Sequence, residues 1–314
     1  MIKKLIITLS ILTSCAAFGS QPKALLLDLG GIFFNYSMMA HAQTMGIGRI
    51  CAYIAYDWKN PSKLQKIIFE VVHGADYQLN PPLTAARTTR GIEFPPLLTA
   101  YQAGRISSED ALALARASFE RMKAQSHFVS DREAELVSKG ISIMFDPKLP
   151  VSTYYSIKDG IQVLKELAAL KDENGNRKYL LIGLSNWDKE SFPLVKERFK
   201  DEFALFDDCV ISGDMGTIKP NREIYLETLR KHGLAAQECI FIDDQEENIK
   251  AAQALGIGSI LFKEYAQLRA ELNARGIAVD STQPLWETRK PYLMALCGLG
   301  VACIAYMILR SSSL

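Results

Sequence analysis

The chain has 314 residues, 48% apolar and 23% charged, with 36 basic against 35 acidic side chains and a formal net charge of +1. That length accommodates one large or two ordinary domains with a substantial core. A near-neutral balance with no basic run offers no electrostatic footprint for nucleic acid. The six cysteines show neither CxxC nor Cys/His spacing, so the sequence signals no zinc site and no disulfide framework.

The chain opens with Lys3 and Lys4, followed by an apolar stretch from Leu5 to Phe18. This is the layout of a secretory signal, and residues 1–19 are read as a signal peptide or an N-terminal anchor. Ala17-Phe18-Gly19 suits a cleavage site, and Leu12-Thr13-Ser14-Cys15 resembles a lipoprotein box. Next comes Ala24-Leu25-Leu26-Leu27-Asp28-Leu29-Gly30-Gly31. A continuous apolar run of this kind reads as a strand of a parallel sheet, buried on both faces and ending in a carboxylate. The apolar and aromatic character persists from Ile32 to Tyr36, and helical periodicity then takes over from Ser37 to Pro150. Helices are expected over 62–72, from Pro95-Pro96 to near Gly104, after a cap at Ser107, and over 131–139 with a stop at Gly140. A long loop runs from Asn80 to Gly91.

Alternation begins after this helical segment. Helices are expected over 158–170, 188–199, 220–232, 246–255 and 265–275. Strands are expected over 179–184, 208–211, 239–242 and 259–262. Strand–helix alternation with short connections implies a Rossmann-like, doubly wound parallel α/β sheet. The division expected is a core from 20–36 and 151–276, a helical cap over 37–150 and a linker over 277–291. Tyr292 to Leu309 carries no charge. At 1.5 Å per residue it would make about 27 Å of helix, enough to cross a bilayer core. It is read as a C-terminal transmembrane helix, and so as the chain's membrane partner. The catalytic part is expected to be exported, with a cytoplasmic-facing arrangement as the alternative, since Arg289 and Lys290 outweigh Arg310.

Three of the expected strands end in polar groups: Asp28, Ser185-Asn186 and Asp243-Asp244. Parallel strands bring such ends to one edge, where open α/β sheets place their ligands. Lys219 stands just before a helix that opens with Pro220. Three carboxylates at one edge repel unless a cation neutralises them. A hard divalent ion with oxygen ligands answers this, Mg²⁺ before Ca²⁺, because few ligands are offered and substrate phosphate can complete the shell. Such a site suits phosphoryl transfer, with Asp28 as a carboxylate nucleophile.

These stretches carry a family resemblance. Asp28-Leu29-Gly30-Gly31, Leu184-Ser185-Asn186, Lys219-Pro220 and Ile242-Asp243-Asp244, in that order, resemble the four motifs of the haloacid dehalogenase (HAD) superfamily. The helical insertion after the first motif resembles its C1 cap, as in the HAD-IA group. Gly104-Arg105-Ile106-Ser107 is similar to a stretch of its sugar-phosphate phosphatases. The resemblance implies that Asp28 is nucleophile and metal ligand, with the Gly30 carbonyl and Asp244 on Mg²⁺ and Asp243 reaching it through water. It implies that Ser185 binds phosphoryl oxygens, that Lys219 neutralises nucleophile and substrate, and that Asn186 and Trp187 line the substrate side, with packing the alternative for Trp187. Asn248 would support the loop. The activity implied is hydrolysis of a small, phosphorylated substrate, possibly a sugar phosphate. The alternatives are dehalogenation and a non-catalytic, membrane-attached binding role. Phosphatases of the superfamily usually carry a second Asp where Gly30 stands, to protonate the leaving alcohol, work worth about 10²–10⁴-fold. Gly30 cannot do this, which implies a slow or substrate-assisted catalyst.

Overall fold

The computed structural model describes residues 22–57, 61–87 and 92–280. The expected signal segment and the expected helix over 292–309 lie outside them. Among the described residues, no helix is long and apolar enough to cross a membrane.

In chain order the elements are β1 (Ala24–Leu27), β2 (Phe34–Tyr36), α1 (Met38–Met45), α2 (Ile47–Asp57), α3 (Pro61–His73), α4 (Pro96–Gln102), α5 (Ser108–Ala124), α6 (Asp131–Met144), α7 (Leu149–Thr153) and β3 (Tyr154–Ser156). Then follow α8 (Lys158–Ala169), β4 (Leu180–Ser185), α9 (Phe192–Arg198), α10 (Lys200–Phe203), β5 (Asp208–Ile211), α11 (Ser212–Met215), α12 (Arg222–His232), β6 (Cys239–Asp243), α13 (Glu246–Ala254), β7 (Gly258–Leu261) and α14 (Tyr265–Ala274).

Strand β1 is the middle of a five-stranded sheet, ordered β5-β4-β1-β6-β7, with every pairing parallel. All four of its residues are fully buried, as its unbroken apolar run requires. Alternate side chains serve opposite faces. Leu25 and Leu27 join a core with Val163 and Leu164 of α8, Phe203 of α10 and Leu268 of α14. Ala24 and Leu26 join a second core with Ile224 and Tyr225 of α12 and Ile249 of α13. The sheet is therefore covered on both sides, and its polar strand ends collect at one edge.

The helical insertion springs from a hairpin. β2 and β3 pair antiparallel, with Tyr36 opposite Tyr154, and the Ser37 amide donates to Thr153 O at 2.8 Å where the insertion leaves and returns. Helices α2 to α6 enclose their own core around Tyr53, Val71, Leu97, Phe119 and Val137. Helices α1, α2 and α7, and strand β3, were not among the expected elements. A second departure lies in α6, which runs through Gly140 to Met144. A Cβ at position 140 would stand 2.3 Å from Ile68 Cδ1. This glycine lets α6 press against α3 and does not end the helix. The Ser107 cap is as expected: its Oγ accepts from the Asp110 amide at 3.1 Å.

Candidate active site

The turn after β1 fixes the first carboxylate. The Asp28 amide donates to Ile242 O at 2.9 Å, which ties it to β6, and Asp28 Oδ1 accepts from the Leu29 amide at 2.8 Å. Gly31 then turns the chain with φ +73° and donates to Phe34 O. A Cβ at position 31 would lie 2.9 Å from Asp244 Oδ2, so glycine here lets the turn approach that carboxylate. A Cβ at position 30 would meet nothing within 4 Å.

Lys219 comes from the loop between α11 and α12 and is 1% exposed. Its Nζ donates to Asp28 Oδ1 at 2.8 Å, to Asp243 Oδ2 at 2.7 Å and to Leu184 O at 2.7 Å. Those three bonds use the whole donor capacity of an ammonium. The backbone beneath it is clamped by Asn186, which accepts from the Lys219 amide at 2.7 Å and donates to its carbonyl at 2.9 Å. The sequence places Asn186 against substrate. In the structure both ends of its amide are given to Lys219, so it positions the lysine.

Asp243 is fully buried. It accepts from Lys219, from the Gln245 amide at 2.8 Å and from Asn248 Nδ2 at 3.0 and 3.1 Å. Asn248 thus steadies this carboxylate from the first turn of α13. Asp244, next in the chain, forms no ion pair among the described residues, yet it shares the cluster: Asp28, Asp243 and Asp244 each offer an oxygen within 4.8 Å of the others. Ser185, the last residue of β4, is buried beside Leu184, whose carbonyl takes Lys219. Trp187 is buried as well, its indole donating to Ser191 Oγ at 3.0 Å and its ring packed on Tyr154 and Phe192. It serves as packing beside the site.

Burial pushes the Asp28 carboxyl up to about 6; Lys219 pulls against this and Asp243 adds to it. Asp244 is pushed up to about 7 by burial and by the charges of Asp28 and Asp243. Burial alone would lower Lys219, but the two carboxylates hold its ammonium above its ordinary range. One lysine therefore serves two of three carboxylates and leaves excess negative charge at Asp244. All the donors there are hard oxygens, and a divalent cation fits such a set.

The insertion closes over this edge through a polar seam. Glu190 accepts from the Ser108 amide at 2.8 Å and from Ser108 Oγ at 2.5 Å. Ser212 Oγ donates to Gln102 O at 2.6 Å and accepts from the Trp187 amide. Gly104, with φ +67°, meets Gly213 so closely that an added Cβ would lie 2.0 Å from Gly213 O. Arg105 donates to Gly216 O at 2.7 Å and Pro81 O at 2.6 Å. Burial, and then the charge of Asp188, push the Tyr101 phenol far above its usual range. Sequence reasoning missed Asn186 as a clamp, Asp188 at the seam and the Gly104–Gly213 contact. The Gly-Arg pair and the residues just after Ser185 were the available signals.

Among curated proteins, the chain is 28% identical over 174 residues to drimenol cyclase drtB of Aspergillus calidoustus, covering 55% of this chain and 28% of that protein. It is 30% identical over 129 residues to flavin mononucleotide hydrolase 1 of Arabidopsis thaliana, covering 40% and 48%. The chain thus spans about half the length, or less, of these relatives. Among solved structures, the magnesium complex of a HAD family enzyme from Bacteroides thetaiotaomicron is 21% identical, with a TM-score of 0.45, covering 78% of this chain and 94% of that one. The family model of haloacid dehalogenase-like hydrolases matches residues 23–256, a span that contains every site residue from Asp28 to Asn248. The chain belongs to the haloacid dehalogenase-like hydrolase family.

Proposed function

We propose that this hydrolase is a Mg²⁺-dependent phosphatase acting on a small organic phosphomonoester. The observation that carries this is Lys219, buried between Asp28 and Asp243 with Asp244 beside them. Such an arrangement holds a carboxylate in place and still leaves negative charge for a cation to neutralise. The Arabidopsis relative, named as a flavin mononucleotide hydrolase, supports the same class of substrate.

In the proposed reaction an Asp28 carboxylate oxygen attacks phosphorus in line, and the bond from phosphorus to the leaving oxygen breaks. This forms an aspartyl phosphate. Water then attacks that phosphorus, releasing inorganic phosphate and restoring the carboxylate. Lys219 offsets charge on Asp28 and on the phosphoryl oxygens, and the Ser185 hydroxyl donates to one of those oxygens. Asp28, the Gly30 carbonyl, Asp243 and Asp244 would hold Mg²⁺, which when bound supplies charge neutralisation and orientation. Since Asp243 already accepts four hydrogen bonds, its part is through water. With Gly30 in place of an acid, the leaving oxygen takes its proton from water or from the substrate. The apolar stretches over 5–18 and 292–309 support membrane attachment, with this activity on the exported side. A panel of phosphate esters with Mg²⁺ and with EDTA tests the proposal. Metal-dependent phosphate release is expected, and halide release from a 2-haloacid without metal would replace it with dehalogenation.

A further inference from the structure

The hairpin that carries the helical insertion is aromatic on both strands. It rises directly from the Gly30–Gly31 turn, since the Phe33 and Phe34 amides both donate to Leu29 O. Tyr36 and Tyr154 are directly opposed on its two strands, their rings 6.3 Å apart. On one side the row continues from Tyr154 to Trp187, 5.1 Å away and two residues beyond Ser185. On the other it continues from Tyr36 to His41 at 5.1 Å. Along this row the exposure rises: Trp187 is buried, whereas Tyr36 is 46% exposed and neighbouring Met39 39% exposed. The row is tied to the site at both ends through the chain, since Trp187 lies two residues beyond Ser185 and Tyr36 follows from the turn after Asp28.

The nearest cations lie at the seam and in the carboxylate cluster, outside the row. Arg105 gives its guanidinium to two carbonyls, Lys189 donates to Gly104 O at 3.3 Å, and Lys219 is saturated. Asp188 and Glu190 add negative charge at the same seam. A second phosphate or a carboxylate on the substrate would meet Asp188 and Glu190 here, with no lysine or arginine in the row itself. A flat apolar group would meet ring faces.

We infer that the organic part of the phosphoester is uncharged and aromatic or similarly flat and apolar, and that it lies on Tyr36 and Tyr154, which set specificity. This rests on the phosphatase proposal for the reaction, but not for the binding, and the test separates the two. Binding of naphthyl phosphate and of glycerol phosphate, each with Mg²⁺, is measured by calorimetry on the full chain carrying Asp28→Asn, which needs no turnover. The expected result is tighter binding of naphthyl phosphate. Adding Tyr36→Ala should lower the naphthyl-over-glycerol preference about tenfold, and adding Tyr36→Phe should keep it. In the chain with Asp28 intact, the same change should appear in KM more than in kcat. A preference that Tyr36→Ala leaves unchanged, or no preference from the start, overturns the inference. If the preference falls as expected but no ester is hydrolysed, the aromatic subsite stands and the phosphatase proposal fails.

Discussion

At the scale of residues, Lys219 is the side chain on which the site depends. It is buried with two carboxylates on its ammonium, and removing one partner of a buried ion pair leaves uncompensated charge. Lys219→Met should cost roughly 3–5 kcal/mol in urea unfolding near neutral pH. The loss should shrink at pH 5, where Asp28 and Asp244 can take protons. Gly30 makes a prediction of opposite sign. Since a Cβ there meets nothing within 4 Å, Gly30→Asp should fold and place an acid beside Asp28. Rates on alkyl phosphates should rise on the order of tenfold or more, and aryl phosphates, whose leaving groups need little protonation, should gain less. Equal gains on both would show that proton transfer is not what Gly30 withholds. The residues of the carboxylate cluster were legible in the sequence because each ends an apolar strand run, and strand ends in parallel sheets converge. Asn186 as a clamp was not legible. Its role depends on the path of the Lys219 loop, which no periodicity encodes.

At the scale of elements, the core strands and helices α8, α12, α13 and α14 could be read to within a residue or two, since buried parallel strands leave long apolar runs, whereas α9 opens at Phe192, four residues past the expected start at 188. The hairpin was invisible for the opposite reason. β2 and β3 are three residues each and separated by the whole insertion, so only the folded chain pairs them. Gly140 misled because a glycine needed for close packing looks in sequence like a helix stop. Two glycines offer a paired test. Gly104→Ala would drive a methyl into Gly213 O at a residue with φ +67°, and should destabilise by about 2 kcal/mol or more while raising proteolysis of the insertion. Gly48→Ala, inside α2 with nothing within 4 Å, should instead be neutral or stabilising by about 0.5–1 kcal/mol. If Gly104→Ala melted like the unsubstituted protein, the seam would not be the close contact described.

At the scale of the whole molecule, the carboxylate cluster ties stability to pH and metal. Asp28 and Asp244 sit at about 6 and 7 against an ordinary 3.8, so the folded state holds their protons more tightly than the unfolded chain does. That contribution is fully present below the ordinary value and is lost as pH rises through the folded-state values. In EDTA, Tm should therefore fall from pH 5 to pH 8. Because a cation competes with those protons, the Tm gained on adding Mg²⁺ should grow over the same range. A Mg²⁺ effect that did not depend on pH would place the ion elsewhere.

The most direct test is inorganic phosphate release from a panel of aryl and alkyl phosphates in Mg²⁺, comparing the unaltered chain with Asp28→Asn. We predict release that EDTA abolishes and that Asp28→Asn lowers by roughly 10³-fold or more, as expected when a covalent nucleophile is removed. Equal release by the two proteins, or release indifferent to EDTA, would contradict Asp28 as the nucleophile of a metal-dependent phosphatase.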